Sequence, residues 1–277
     1  MAELHPEFYF TQTRLQDFLD CKRRFQLRYL FEQPWPAHIA EPPQAFEEHL
    51  KQGRLFHRLV HQLFLGMPVD SLARFASAPP LDRWWQNLLT HGVEGIPSGS
   101  LPEVTVVTTL EGFRMLGKFD LIAPGRSGEL LIIDWKTSKY IPPLNELRSK
   151  MQSRLYPFIL AREAFKQGGI FEVAPDQISM RYWFTEQPEI HMQFRYSQDQ
   201  YEADEEFLRS LVEEIASMQD DEFQLTEDVE TCRFCEYRSL CDRGASAGTI
   251  GALEDDFDDL QEWLQDTDLD QVQEIEF

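Results

Sequence analysis

Two aspartates and a lysine stand in neighbouring strand-like segments, where they could act together. Asp120 lies in one apolar segment, and Asp134 and Lys136 lie at the end of the next. Side chains alternate between the two faces of a strand, so Asp134 and Lys136 share a face. If the chain reverses at the Pro-Gly-Arg-Ser-Gly turn, centred near Ser127, Asp120 lies opposite Asp134. The spacing therefore predicts that all three side chains converge on one patch at the edge of a sheet.

This trio has the chemistry of a metal-assisted hydrolytic site. Two adjacent carboxylates repel each other unless a cation lies between them. Their hard oxygen atoms suit Mg²⁺ or Mn²⁺, and a nearby lysine can position a water or stabilise charge that develops on a phosphate. This combination favours in-line attack on a phosphodiester. The alternative is a surface salt bridge on a hairpin, since apolar strands that end in Asp-x-Lys are common.

Three further polar side chains could border the same site. His57, in Gly53-x3-His57 on a predicted helix, could add a nitrogen ligand, although a lone histidine on an amphipathic helix is usually structural. Gln152 and Tyr156 are four residues apart and so share a face of a later helix, where the alternative is an ordinary amphipathic boundary. Pro157 removes a backbone donor, and we expect it to loosen this helix.

The four cysteines form a second set of potential ligands. Three follow the pattern Cys232-x2-Cys235-x5-Cys241, and the fourth, Cys21, lies far upstream. Cys-x2-Cys lets two thiolates of one turn reach the same metal centre. The set suits a 4Fe-4S cluster, a zinc site with four cysteines fits the same count, and unligated core cysteines are the remaining alternative. A bound centre would join the N-terminal helix to the C-terminal segment and stabilise the fold.

The elements that must position these residues follow from hydrophobic periodicity. Helical spacing predicts helices over residues 11–31, 44–65, 80–91, 145–166 and 198–218. Apolar and β-branched runs predict strands over residues 104–110, 113–122, 129–135, 177–185 and 189–196, the first three antiparallel. This order predicts a mixed α/β core with helical additions.

Composition and charge exclude several classes of protein. The 277 residues are 42% hydrophobic, and no apolar run approaches the roughly 18 residues of a membrane span. The N-terminus lacks a secretory pattern, and four cysteines are too few for a disulfide scaffold, so we expect a cytoplasmic protein. The formal net charge is −22, but residues 246–277 hold 11 of the acidic residues and no Lys or Arg. The charge of the whole chain therefore does not decide what one cleft binds.

With these segments combined, the chain resembles the RecB-like branch of the PD-(D/E)XK nuclease superfamily, and specifically its iron–sulfur members. These include the CRISPR-associated exonuclease of spacer acquisition and the AddB nuclease domain. The matching segments occur in the family's order and are residues 20–25, Gly53-x3-His57, 117–120, 133–139, Gln152-x3-Tyr156 and the cysteine pattern. The resemblance implies a restriction-endonuclease-like mixed sheet, with N-terminal helical additions and a C-terminal iron–sulfur segment.

The resemblance also implies a role for each matching position. The ligands of a Mg²⁺ or Mn²⁺ ion would be His57, Asp120, Asp134 and the backbone carbonyl of Trp135. The catalytic residues would be Asp120, Asp134, Lys136, Gln152 and Tyr156, the last two by contacting or orienting DNA. The 4Fe-4S cluster would be held by Cys21, Cys232, Cys235 and Cys241.

Basic residues flank these segments, as contacts to phosphates require. The candidates for DNA binding are Arg23, Arg24, Arg54, Lys139, Arg148 and Arg154, with Lys22, Arg28, Arg58 and Lys150 beside them. The alternative for each is an ordinary solvated helix face. The acidic tail, residues 246–277, has apolar residues at helical spacing, and it could bind a protein partner or lie across this basic groove. A disordered solubilising tail is the alternative.

These observations predict four regions: an N-terminal helical region (1–102), a nuclease core (103–219), an iron–sulfur segment (220–245) and the acidic tail (246–277). We expect a metal-dependent DNA exonuclease that acts on single-stranded ends in DNA repair or CRISPR adaptation. Its candidate partners are a helicase or a CRISPR integrase. The alternatives are a non-catalytic DNA-binding clamp subunit and a zinc-containing interaction protein.

Overall fold

A computed structural model describes residues 4–5, 7–33, 44–125, 127–164, 173–233 and 235–244. The acidic tail and its predicted amphipathic helix therefore lie outside the described residues. Among the described helices, none is both long enough and apolar enough to span a bilayer.

The described part of the chain forms a six-stranded mixed sheet with the order β1-β3-β4-β5-β6, and β2 pairs with β3. The strands are β1 (Tyr9–Phe10), β2 (Leu101–Leu110), β3 (Phe113–Pro124), β4 (Leu130–Lys136), β5 (Ile178–Phe184) and β6 (His191–Arg195). Strands β2, β3 and β4 are antiparallel neighbours, β4 and β5 are parallel, and β5 and β6 are antiparallel. The five predicted strands are confirmed; β1 has only two residues, too few for a periodic pattern.

Helices cover both faces of the sheet. They are α1 (Gln12–Asp20), α2 (Lys22–Phe25), α3 (Gln44–Phe64), α4 (Val69–Ala73), α5 (Leu81–Asn87), α6 (Leu144–Ser149), α7 (Met151–Ala164) and α8 (Gln198–Ser217). Helices α2 and α5 continue as π-helical turns over Gln26–Leu30 and Leu88–Gly92. Thr11 caps α1, because its hydroxyl accepts a hydrogen bond from the backbone N–H of Arg14 at 3.2 Å.

Two of the predicted helices are interrupted. The first divides at Cys21, whose backbone is extended (φ −161°, ψ 105°). The helix predicted over residues 145–166 divides at Lys150 (φ −59°, ψ 145°), whereas Pro157 lies inside α7. The break therefore falls before the proline that was expected to weaken the helix.

The sheet separates two hydrophobic cores. The first lies against α1, α7 and α8 and contains Ile132 of β4. The second lies against α3, α4 and α5 and contains Ile133 of β4. Adjacent residues of one strand thus face different cores, as alternation along a strand requires. The arrangement confirms the predicted mixed α/β core with helical additions.

Strands β3 and β4 separate at one end of their ladder. Their pairing runs from Pro124 and Leu130 to Leu121 and Ile133, in the register predicted by a reversal centred on residue 127. Pairing ends one residue before Asp120 would meet Asp134. Because β2 occupies the other edge of β3, the short β1 pairs with the same edge as β4, at Arg114 and Met115. The gap between β3 and β4 beyond Leu121 and Ile133 is called the strand fork below.

Candidate active site

Asp120 occupies the strand fork and connects β3, β4 and α3. Its Oδ2 accepts a hydrogen bond from the backbone N–H of Trp135 at 2.9 Å. The β3–β4 ladder has already ended at this position, so the side chain of Asp120 takes the place of a backbone partner on β3. Its Oδ1 lies 3.2 Å from Nδ1 of His57. Burial acts to raise the pKa of Asp120, but His57, the Trp135 N–H and Lys136 together hold it below the usual 3.8. Asp120 is therefore ionised in the fork.

Helix α3 brings His57 to the fork from the second core. The helix is anchored by Phe56, Leu59 and Val60, which are buried there. Burial disfavours the charged imidazolium, but Asp120 and, less strongly, Glu103 outweigh it and raise the pKa of His57 above the usual 6.5. The imidazole must lose this proton before it can ligate a metal ion.

Glu103 on β2 is a potential ligand that the sequence interpretation missed. His57, Glu103 and Asp120 form a group whose ligand atoms all lie within 4.8 Å of one another. The β2–β3 register, continued between Pro102–Leu121 and Val104–Phe119, sets Glu103 opposite Asp120. Its backbone has a positive φ of 52°, a conformation that a glutamate rarely adopts and that clusters at functional sites. The signal in the sequence was the Glu111-Gly112 turn, whose centre fixes this register.

Asp134 and Lys136 form a buried pair beside Asp120. Asp134 Oδ1 lies 3.0 Å from Nζ of Lys136, and its Oδ2 accepts a hydrogen bond from Nε2 of Gln152 at 2.6 Å. Burial is the largest cause that raises the pKa of Asp134 to about 6; the charge of Asp120 adds to it and Lys136 opposes it. Asp120, Asp134 and Lys136 therefore do converge, through the strand fork and not across a continuous ladder.

The residues around the fork fit a divalent cation. One imidazole and two carboxylates whose ligand atoms lie within 4.8 Å of one another form a donor set that suits Mg²⁺ or Mn²⁺. Asp134 lies outside this group of three, and both of its oxygens have protein partners: Oδ1 pairs with Nζ of Lys136 at 3.0 Å, and Oδ2 accepts a hydrogen bond from Gln152. The predicted use of the Trp135 carbonyl as a ligand stays a prediction.

Two tyrosines contact residues of the strands that form the fork, one on β3 and one on β4. The predicted one, Tyr156, is buried, and its ring packs at 4.7 Å against Phe119; its contact with DNA stays a prediction. Tyr182 on β5 was not predicted. It is paired with Asp134 on the neighbouring strand. The centre of its ring is 5.6 Å from Nζ of Lys136, a distance at which an aromatic ring attracts an ammonium group.

The four cysteines are all free thiols, and Cys21 lies close enough to Cys232 and Cys241 to affect their pKa values. Cys21 caps α2, since its Sγ accepts a hydrogen bond from the Arg24 N–H at 3.4 Å. Burial, and then the neighbouring Cys21, raise the pKa values of Cys232 and Cys241. Burial raises the pKa of Cys235 to about 11. Among the described residues, no three of these thiols lie as close together as the ligands of a single zinc ion.

The predicted DNA-binding residues fall into two groups. Two of them pair with aspartates: Arg24 with Asp17 at 2.9 Å and Arg154 with Asp204 at 2.6 Å. These ion pairs give both guanidinium groups a structural role, and their contact with DNA stays a prediction. Arg23 donates a hydrogen bond to Gln26. The exposed members of the set are Arg54, Lys139 and Arg148.

The sequence pattern of the PD-(D/E)XK nuclease superfamily matches residues 9–242, and the chain belongs to this superfamily. The protein SSO0001 has a similar crystal structure, with 14% identity, a TM-score of 0.41 and coverage of 85% of this chain and 86% of that chain. A proposed exonuclease from Eubacterium rectale shares 9% identity and has a TM-score of 0.48, with coverage of 88% and 90%. No curated protein sequence matches the chain.

Membership of the superfamily explains the chemistry of the fork. The mixed α/β architecture is the restriction-endonuclease-like fold, as predicted. PD-(D/E)XK nucleases hydrolyse phosphodiesters with divalent metals such as Mg²⁺ or Mn²⁺, and a nuclease domain implies DNA as the substrate. The group formed by His57, Glu103 and Asp120 is a candidate site for such a metal.

Proposed function

We propose that this chain is a metal-dependent exonuclease that degrades DNA from single-stranded ends, and that it belongs to the RecB-like iron–sulfur branch of its superfamily. The observation that carries the nuclease proposal is the strand fork, where Asp120 meets His57 at 3.2 Å and Asp134 meets Lys136 at 3.0 Å. A buried carboxylate and a half-buried one beside an imidazole and an ammonium group provide the charges that metal-assisted phosphodiester hydrolysis uses.

Each side chain of the fork has a distinct task in the proposed reaction. His57, Glu103, Asp120 and Asp134 would hold the cation, which when bound activates water and stabilises charge on the scissile phosphate. Lys136 positions the attacking water or neutralises the phosphate, since its ammonium group is fixed beside Asp134. Gln152 donates to Asp134 Oδ2 and so orients the carboxylate.

Digestion of end-labelled oligonucleotides tests this function. We expect the wild-type chain to cleave 5′- or 3′-labelled single strands with Mn²⁺ and not with EDTA. Asp134→Ala and Lys136→Ala should each lower the rate by at least about a hundredfold. Asp70→Asn, at an exposed acid remote from the fork, is the matched control and should retain full activity. Undiminished cleavage by Asp134→Ala or Lys136→Ala would contradict the assignment. Products of single nucleotides indicate an exonuclease, and internal fragments would contradict that part of the proposal.

We also propose a 4Fe-4S cluster held by Cys21, Cys232, Cys235 and Cys241. The supporting observations are the four free thiols and the proximity of Cys21 to Cys232 and Cys241, whose pKa values it helps to raise. A cluster separates its thiolates more than one zinc ion does. Iron and sulfide analysis of anaerobically purified protein tests this; we expect about four of each per chain, and Cys232→Ser should lose them. Colourless protein that contains zinc would contradict the proposal.

We further propose that the chain consists of four regions: helical (1–102), nuclease core (103–219), iron–sulfur (220–245) and acidic tail (246–277). We propose that a helicase or a CRISPR integrase supplies the single-stranded ends. The acidic tail would bind such a partner or cover the basic groove. Co-purification of the wild-type chain and of a chain that ends at residue 245 with each candidate tests the first role of the tail.

A further inference from the structure

A polar cleft lies beside the candidate active site, between α6, α7, β6 and the start of α8. It has a volume of about 70 Å³ and opens to solvent; its lining includes Arg148, Arg154 and Arg195 together with Ser153, Ser197 and Asp204. Among the described residues that line it, three are arginines and one is acidic. This is a local excess of positive charge in a chain whose net charge is −22. We call it the arginine cleft.

The one carboxylate of the arginine cleft is already neutralised. Asp204 is fully buried, and its Oδ1 accepts hydrogen bonds from Nε of Arg154 at 2.6 Å and from Nε2 of Gln200 at 3.0 Å. Its Oδ2 accepts from the hydroxyl of Tyr196 at 3.0 Å. A buried carboxylate with these partners offers little repulsion to an anion. Arg154 is therefore committed to the fold.

Two guanidinium groups of the arginine cleft are exposed, those of Arg195 and Arg148. The one held against an aromatic ring is that of Arg148. Arg148 is exposed at the end of α6. Its guanidinium carbon lies 5.5 Å from the ring centre of Phe194, and it forms no ion pair with any described residue. The ring limits the side chain to one region while the N–H donors remain available, which suits recognition of phosphate oxygens. The first backbone N–H groups of α8 do not contribute, since those of Gln198 and Gln200 donate to Asp176 and Ser197.

The arginine cleft is connected to the strand fork through α7 and β5. Gln152 contacts Asp134 in the fork, whereas the next residue, Ser153, lines the cleft. The hydroxyl of Ser153 lies 2.7 Å from that of Tyr182, whose ring lies beside Lys136. The contact between Ser153 and Tyr182 therefore links the lining of the arginine cleft to the residues around the strand fork.

We propose that the arginine cleft binds a phosphate group of the strand that occupies the candidate active site, with Arg148 as its principal donor. The proposal rests on the proposed function and adds a second contact to it. The phosphate has two chemical sources: a phosphomonoester at a strand end, or an internal phosphodiester next to the scissile one. Both present anionic oxygens to a guanidinium group.

Binding without cleavage separates this proposal from the nuclease proposal. The probes are fluorescently labelled single strands with a 5′-phosphate, a 3′-phosphate or neither, and anisotropy is measured in EDTA over a series of salt concentrations. Arg148→Gln removes the positive charge, and Arg148→Lys keeps the charge but replaces the planar guanidinium group with an ammonium group. Arg209→Gln is the matched control, because Arg209 is exposed further along α8 and pairs with Glu111.

We expect Arg148→Gln to raise the Kd about tenfold, as for loss of one hydrogen bond to a charged group, and to lower the slope of log affinity against log salt by about 0.7. Arg148→Lys should recover part of both, and Arg209→Gln should change neither. A loss confined to strands with a terminal phosphate identifies the monoester, and an equal loss on all strands identifies the diester.

Three results would overturn the proposal: an Arg148→Gln variant with unchanged affinity and salt slope, an equal loss in Arg209→Gln, or a wild-type chain that binds none of the strands. Circular dichroism of each variant reports its folding; Arg148→Lys supplies the test if Arg148→Gln does not fold. Absence of cleavage with Mn²⁺ would contradict the nuclease proposal alone, because the binding assay contains no metal.

Discussion

Metal binding at the strand fork should depend on pH, because two of its residues carry protons that a cation must displace. Burial, the largest cause, raises the pKa of Asp134 to about 6. The nearby carboxylates raise the pKa of His57 above 6.5, although burial acts in the opposite direction. Both groups ligate a metal ion only after deprotonation. As the pH falls through these values, each group takes up a proton and the apparent metal affinity falls.

The size of the effect follows from the pKa of Asp134. With one proton of pKa about 6 to displace, the apparent Kd for Mn²⁺ rises about tenfold between pH 7 and pH 5. Because the pKa of His57 is also raised, His57 is a second group that must lose a proton before Mn²⁺ binds. The slope of log affinity against pH should therefore approach about two below pH 6 and decrease at higher pH.

Calorimetric titration with Mn²⁺ at a series of pH values from about 5 to 8 measures this slope, and buffers of different ionisation enthalpy count the protons released. In Asp134→Asn residue 134 has no proton to displace, so the slope of log Mn²⁺ affinity against pH at low pH should fall to about one. Asp70→Asn, at an exposed position remote from the fork, should behave like the wild type. A wild-type affinity that does not change with pH would refute the reasoning, as would an unchanged slope in Asp134→Asn.

Three further predictions concern stability, metal ligation and the acidic tail. Asp17→Asn should lower the free energy of unfolding in urea by about 3–5 kcal/mol, because the buried guanidinium groups of Arg24 and Arg28 lose their shared partner; a loss below about 1 kcal/mol would contradict it. Because these partners hold the pKa of Asp17 below 3.8, its stabilisation is present above the unfolded-state pKa and is lost as the pH falls through the lower folded value, which acid unfolding curves of wild type and variant will show. Glu103→Gln should weaken Mn²⁺ binding on the order of tenfold by calorimetry, and an unchanged Kd would exclude Glu103 as a ligand. Removal of residues 246–277 should raise the affinity for single strands at low salt and much less at high salt, whereas equal affinities would exclude masking by the tail.

The hairpin that carries the candidate site could be predicted because its turn is short and its strands are apolar. The Pro-Gly-Arg-Ser-Gly turn fixes the register of β3 and β4, and the ladder from Leu121–Ile133 to Pro124–Leu130 has that register. Hydrophobic periodicity likewise located α3 and α8, whose buried faces are regular. The breaks at Cys21 and Lys150 escaped it, since both lie within segments whose apolar spacing continues on either side.

The geometry of the site required information that local patterns do not contain. The expectation of a shared strand face for Asp120 and Asp134 missed the strand fork, because the β3–β4 ladder ends at Leu121 and Ile133 while β1 pairs further along the same edge of β3. Glu103 was missed because the predicted strand began at Val104, one residue too late, although the turn at Glu111 and Gly112 sets Glu103 opposite Asp120. The contact of Tyr182 with Lys136 depends on the parallel pairing of β4 with β5, which joins residues that are distant in sequence.

The location of a bound cation tests the central claim most directly. Crystals soaked in Mn²⁺ and measured at the manganese absorption edge give an anomalous peak at each bound ion. We predict a peak within coordinating distance of Asp120, between His57 and Glu103, that is absent from Asp120→Asn crystals. Mn²⁺ bound elsewhere while the strand fork stays empty would contradict the assignment of this site to phosphodiester hydrolysis.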